Sequence, residues 1–252
     1  MKPALLFAMS CLCLVAQQSA QFEVASIRRV PPNSLITMIG VSPSGSRLTI
    51  KAMSLANLIS WAYGMKPWQV TGGPPWAGSQ SDSAADTSRF DITCKAEGDA
   101  ARSTDEFRQM LQSLLADRFQ LTVHRVLREV PVYALVVDRN GPKFRESGPD
   151  SEHMLRMNGG GKIFASGASM TMLVDQFSNA NGSDRPVIDA TGLTGRYDFT
   201  LEYSNTRPGA PPDSTLPSVF TAMQEQLGLK LEPRRGSIEF ISIDHAEPPS
   251  EN

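Results

Sequence analysis

Five residues occur twice in this chain in nearly the same form: Arg89-Phe90-Asp91-Ile92-Thr93 and Arg196-Tyr197-Asp198-Phe199-Thr200. Their neighbours follow in step. Leu111, Leu115, Phe119, Leu121 and Val123 correspond to Val219, Met223, Leu227, Leu229 and Leu231, and Leu135-Val136-Val137-Asp138 corresponds to Ile241-Ser242-Ile243-Asp244. A spacing of about 110 residues is too long for a solenoid repeat and is the size of a small domain, so it predicts two tandem units. Whatever fold the chain adopts must be one that each half can build.

Apolar periodicity fills in the elements. Phe22 to Arg28 alternates and predicts a strand with Phe22, Val24 and Ser26 on its buried face. Ile36–Val41 and Arg47–Ala52, around Ser42-Pro43-Ser44-Gly45, predict a hairpin. Ser54 is an N-cap for a helix with Leu55, Leu58, Ile59 and Ala62 on one face, ended by Gly64. Arg89 to Lys95 predicts a strand with Phe90, Ile92 and Cys94 facing one way. Ser103 and Glu106 have capping-box spacing before an amphipathic helix of Phe107, Met110, Leu111, Leu114, Leu115 and Phe119. Leu121–Leu127 and Val130–Val137 read as two strands joined around Arg128-Glu129.

The second half repeats this order. Met154–Met157 and Lys162–Ser166 flank the turn Gly159-Gly160-Gly161, and Ser169 caps a helix with Met170, Leu173, Val174 and Phe177 inside. Pro186-Val187-Ile188 and Arg196–Tyr203 are strands. After a Pro-rich loop at Arg207 to Pro212 comes a helix with Pro217 in its first turn, ended by Gly228. Leu229–Leu231 and Ile238–Ile243 are the last strands. The fold class is α+β: two tandem, internally duplicated β-β-α-β-β-α-β-β units, residues 21–147 and 148–252, with helices packed on one face of mixed or antiparallel sheets.

Lys2 and the apolar run Ala4 to Ala16 have the form of a signal peptide, too short to span a bilayer. Cleavage is expected near Ala20, leaving a secreted or periplasmic chain that starts near Gln21. A lipoprotein signal would use Cys11 or Cys13, but Ala8 and Ser10 stand where each would want leucine. No later run approaches membrane-spanning length. Cys94 would be the one cysteine of the mature chain, which excludes an intramolecular disulfide. The formal charge of −2 gives no support for nucleic-acid binding, which wants a basic face.

Taken in order, FEVASIRR, SLANLISWAYG, GGPPW, RFDIT, MLQSLLADRFQLTVHR, VPVYALVV, NGPKF, VIDATGLTGRYDFTLEY and FISIDHAEPP resemble a family of secreted, soil-associated bacterial proteins of unknown function. The resemblance covers almost the whole chain after Ala20. It implies a shared fold and a compartment outside the cytoplasm, and it supplies no activity, cofactor or catalytic residue.

The residues themselves offer little catalytic chemistry. There is no G-x-S-x-G elbow, no S-x-x-K and no H-E-x-x-H. His124, His153 and His245 lie far apart. Cys94 sits on the apolar parity of its strand, so an inert buried thiol is favoured over a Cys94–His124 pair. Asp244, His245 and Glu247 read as a solvated acidic tail, and Gly159-Gly160-Gly161-Lys162 as a hairpin turn. No cofactor and no metal are expected. The repeated Arg-x-Asp places both side chains on the polar face of a strand, where paired structural roles are expected.

What remains is aromatic. Trp61, Tyr63, Trp68 and Trp76 follow the first helix, with Gly72-Gly73 and Pro74-Pro75 among them, and the second half has no tryptophan at all. Rings with one polar end suit partly exposed sites and interfaces. Packing within the fold and contact with a ligand both remain open for them. The expectation is a non-enzymatic extracytoplasmic binding or sensing module. Its partner would be an unknown protein or small ligand, held by Trp61, Tyr63, Trp68, Gly72, Gly73 and Trp76. The alternative is a secreted hydrolase with a site between the two units, for which Asp91, His124, Arg196 and Asp198 would have to converge.

Overall fold

The computed structural model describes residues 21–31, 37–42, 45–78, 87–158, 161–178, 185–204 and 216–249. The apolar N-terminal run and its cleavage point, Pro43-Ser44, most of the loop from Gly78 to Ser88, Gly159-Gly160 and the Pro-rich loop lie outside the described residues. The described residues form an α+β fold of four helices and three sheets in which strands predominate. No helix among them is long and apolar enough to cross a membrane. The chain divides into two compact units: unit 1 holds residues up to Arg125 together with those from Phe240, and unit 2 holds Val126–Glu239. The division therefore falls inside two long strands, whereas a boundary at 147/148 was expected.

Unit 1 runs β1 (Phe22–Val30), β2 (Met38–Val41), β3 (Arg47–Ser54), α1 (Leu55–Ala62), β4 (Val70–Gly72), β5 (Arg89–Ala96), α2 (Thr104–Arg118) and the opening of β6 (Thr122–Val137). An antiparallel sheet of order β1-β5-β3-β2 presents Leu48, Ile50, Phe90, Ile92 and Cys94 to the helices. Those helices answer with Leu55, Leu58, Ile59, Phe107, Leu111 and Leu115, all fully buried. Each such side chain contributes about 1.5–3 kcal/mol on burial. The α2 helix is anchored by the capping box its sequence announces: Ser103 Oγ accepts from Glu106 N at 3.2 Å, and Glu106 Oε2 accepts from Ser103 N at 2.8 Å. Asp105 and Glu106 at its start and Arg118 at its end match the helix dipole.

The parity read for β1 is overturned. A bulge between Phe22 and Val24 shifts the register, so that Ala25 and Ile27 lie opposite Cys94 and Ile92. Ile27 is buried, while Val24 is 58% exposed and Ser26 faces solvent. One inserted residue is enough to exchange the faces of everything on one side of it.

Unit 2 continues β6 and adds β7 (Arg145–Glu146), β8 (Met154–Asn158), β9 (Lys162–Ala168), α3 (Met170–Ser178), β10 (Val187–Asp189), β11 (Tyr197–Glu202), α4 (Val219–Ala222) and the larger part of β12 (Leu229–His245). Its antiparallel sheet has the order β7-β11-β9-β8, and β10 pairs in parallel with β6 through Val187 and Tyr133. The core holds Ile163, Leu173, Phe177, Leu201, Tyr203, Met223 and Leu229. Helix α4 passes into a π-helical turn, Met223–Leu227, and Gly228 closes it at a φ of +64°. Ser218 caps α4 through Thr221 N at 3.2 Å, so Pro217 precedes the cap instead of lying in the first turn.

The pairs of strands expected within 121–137 and 229–243 are each a single strand, of 16 and 17 residues. Arg128-Glu129 supplies no left-handed turn residue, and strand-forming neighbours carry the chain straight through. Gly236 resembles a turn signal but has no positive φ. An added Cβ there would lie 3.0 Å from Val132 Cγ2, so the glycine admits a close neighbour.

Candidate functional site

The tryptophan segment begins as α1 ends. Ser54 Oγ accepts from Asn57 N at 3.3 Å, and Gln112 Nε2 donates to the terminal carbonyl of Ala62 at 2.7 Å. Gly64 turns the chain at a φ of +65°. Trp61 packs on the unit 1 core, with the Arg108 guanidinium 5.9 Å from its ring centroid. Tyr63 is half-buried, and burial raises its hydroxyl pKa against the opposing charge of Arg125.

Pro67–Gln69 forms a 3-10 turn that sets Trp68 edge-on to Phe240, with centroids 5.9 Å apart. β4 then pairs in parallel with Ile241–Ile243 and is the last strand of its sheet. A second 3-10 turn, Pro75–Ala77, sets Trp76 edge-on to Phe90 at 6.2 Å, and Trp76 O accepts from Ser88 N at 2.9 Å. All three tryptophans are partly buried. Trp68 Nε1 and Thr71 Oγ1 are shut off from solvent and have no hydrogen-bond partner.

Gly72 and Gly73 are exposed, with φ of +74° and +82°. The close approach they permit is to the fold's own strand. A Cβ on Gly72 would stand 3.1 Å from Ile243 O, and one on Gly73 would stand 3.0 Å from Ile243 Cγ2. Backbone approach to a ligand, the role expected from sequence, is not needed to account for either glycine.

The repeated Arg-x-Asp motif has a clear structural task. β3 breaks register between Ile50 and Met53, and Ala52 takes a left-handed φ of +49°, which L residues seldom adopt. Asp91 Oδ1 accepts from Ala52 N at 3.0 Å, and Arg89 Nη1 donates to Ala52 O at 3.1 Å. In unit 2, Asp198 Oδ1 accepts from Gly167 N at 2.9 Å, and Gly167 has a φ of +61°. Arg196 instead donates to His153 Nε2, and His153 Nδ1 faces Gly167 O at 3.4 Å. His153 thus stands between Arg196 and the carbonyl of Gly167. The residue two positions beyond each left-handed site is a helix cap, Ser54 or Ser169. The motif thus fixes the bend that feeds each sheet strand into its helix.

Sequence reading missed this bend because alanine does not advertise a positive φ. A signal was nevertheless present: aligning RLTIKAMS with KIFASGAS on their capping serines sets Ala52 against Gly167.

The charges follow from the contacts. Burial opposes ionisation of Asp91, but hydrogen bonds from Lys51 Nζ at 2.9 Å, Ala52 N and Arg28 hold its carboxyl below the usual range. Ser147 Oγ at 2.5 Å and Gly167 N do the same for Asp198, with Arg145 at 3.9 Å. His124 Nδ1 lies 2.8 Å from Asp244 Oδ1. Asp91, His124, Arg196 and Asp198 are therefore each held by a different set of neighbours. Cys94 is 1% exposed, and burial pushes its thiol up to about 12, which leaves it inert at neutral pH. Among the described residues no three His, Cys, Asp or Glu side chains are grouped to hold a metal ion.

No curated protein and no solved structure gives a significant match to the chain. A family model described as a protein of unknown function, DUF3738, matches residues 56–246, from the first turn of α1 to just beyond β12. The match takes in the Trp segment, both Arg-x-Asp motifs and both long strands, and on that extent the chain belongs to the DUF3738 family.

Proposed function

We propose that this chain is a non-enzymatic module working outside the cytoplasm, secreted or periplasmic, that binds a partner protein or small ligand through Trp61–Trp76. The observation that carries the reading is that each tryptophan is packed by its own unit yet remains partly open, in a segment beside an edge strand. Rings pre-ordered in this way lose little freedom when a partner covers them. Hydrolysis is less well supported, because the polar groups it would recruit are already engaged in separate ion pairs and backbone bonds.

We infer as well that the chain is internally duplicated, and three observations support it. The sheets β1-β5-β3-β2 and β7-β11-β9-β8 have the same order of strands, each label advanced by six. Asp91 and Asp198 hold equivalent left-handed residues. Phe119 O accepts from Glu247 N at 2.7 Å, and Leu227 O accepts from Lys143 N at 2.9 Å, after the matching helices. On this reading the tryptophans are an addition of the first unit to a shared scaffold.

The test compares Trp61→Ala, Trp68→Ala and Trp76→Ala for thermal unfolding and for capture of partners from the native envelope fraction. At least one variant should fold like the parent and lose about tenfold or more in capture. If every variant unfolds, or every folded variant captures as well as the parent, the segment is packing alone. Mass spectrometry of the exported chain should find its N-terminus near Gln21, and a retained N-terminus would remove the extracytoplasmic placement.

A further inference from the structure

The π-helical turn Met223–Leu227 borders a cleft of about 480 Å³ within unit 2, a volume in the range of small-ligand sites. A π turn displaces helix carbonyls from their usual donors and is often found at functional sites. Here Lys143 Nζ reaches across to donate to Glu225 O at 2.8 Å, and Gln224 Nε2 donates to Asp138 Oδ2 at 3.3 Å. The turn is thereby tied to the chain just after β6, and the cleft opens between them. The equivalent helix of unit 1, α2, ends in regular α-helical form.

Three properties of the lining select a ligand class. The first is charge: Asp138 and Glu225 stand against Lys143 and Lys230, so neither an anion nor a cation gains from the sum. Asp138 keeps its charge, because the Arg139 amide and Gln224 hold its carboxyl below the usual range. The second is hydrogen-bonding form. Asn140 and Gln224 each offer a planar donor and acceptor pair, and Asp138 offers carboxylate lone pairs, a set that can serve adjacent hydroxyl groups. The third is an aromatic face. Phe220 is 39% exposed, and its ring is propped edge-on by Tyr133 at 5.1 Å, which itself lies under the Arg185 guanidinium at 5.3 Å. The negative face of such a ring attracts the C–H surface of a saturated ring.

We propose that this cleft is a subsite for a neutral, polyhydroxylated ligand, a sugar residue seated on Phe220 with its hydroxyls on Asp138, Asn140 and Gln224. The Trp61–Trp76 segment lies in the other unit, so this site stands or falls apart from the function proposed for that segment.

The experiment is a two-dimensional NMR titration of the full chain with maltose, cellobiose and N,N′-diacetylchitobiose, with inorganic phosphate as the charged control. At least one disaccharide should shift the amides of Asp138, Gln224 and Lys230 at millimolar concentration, and phosphate should not. Phe220→Ala and Gln224→Ala should each weaken that binding about tenfold, and Phe220→Tyr should keep it. Both positions are solvent-exposed, so the variants are expected to fold, and circular dichroism checks that they do. The proposal is overturned if no disaccharide moves those amides at its highest soluble concentration. It is equally overturned if phosphate moves them as strongly, or if both alanine variants bind like the parent.

Discussion

The carboxylate of Asp91 and the backbone amide of Ala52 are joined at 3.0 Å, although 39 positions separate them in the chain. The Asp91 side chain is 15% exposed, so its removal leaves a left-handed peptide without its acceptor in a largely dry place. Asp91→Ala is expected to lower the unfolding free energy by about 1–3 kcal/mol, measured by urea denaturation.

The same contact sets a pH dependence. The folded-state pKa of Asp91 is depressed below its unfolded value of about 3.9. Its charge therefore contributes stability that is complete above the unfolded pKa and is lost as pH falls through the folded pKa. Asp91→Asn keeps an acceptor for Ala52 but not the charge. The stability gap between parent and Asp91→Asn should be full at neutral pH and shrink below about pH 4.

Ala52 and Gly167 occupy matching bends, and exchanging their side chains is expected to be asymmetric. Ala52→Gly relieves a left-handed φ worth about 1 kcal/mol and loses one buried methyl, so its net effect should stay within about 1 kcal/mol. Gly167→Ala adds a Cβ that would stand 2.5 Å from Glu152 O, besides the strain of its positive φ. It should cost more than about 2 kcal/mol by thermal denaturation.

Cys94 should resist alkylation in the folded protein. With the thiol buried and its pKa at about 12, iodoacetamide at pH 8 should leave the native chain unlabelled and label it fully once urea unfolds it. Rapid labelling under native conditions, read by intact mass, would contradict the packing described for β5.

Much of unit 1 was legible because local rules agreed with tertiary ones. The Ser54 cap, the Ser103–Glu106 box, the buried faces of β5 and α2 and the positive φ of Gly64 all follow from residue type and spacing. Departures arose where a non-local partner decided the outcome. The bulge in β1 is set by pairing with β5, and the unbroken β6 and β12 by neighbours that no short window contains. At the candidate site, sequence singled out the tryptophans. It could not foresee that Gly72 and Gly73 serve Ile243, because that residue arrives from the far end of the chain.

That arrival can be tested directly. Ile241 is fully buried in the unit 1 core, so Ile241→Ala should cost about 2–5 kcal/mol. Hydrogen exchange should show the loss at the amides of Val70 and Thr71, which belong to the strand paired with Ile241–Ile243. Unchanged protection at β4 would mean that this parallel pair does little to hold the unit together.

Membership of Phe240 and its successors in unit 1 also dictates an order of assembly. A chain released N-terminus first contains every residue of unit 2 once Glu239 has emerged, while unit 1, begun earlier, still waits for Ile241 and Ile243. A segment made after unit 2 closes the unit begun before it. A chain halted at Glu239 would hold every residue of unit 2 but lack Ile241 and Ile243 from the unit 1 core, and proteases should cut unit 1 faster in it than in the full chain.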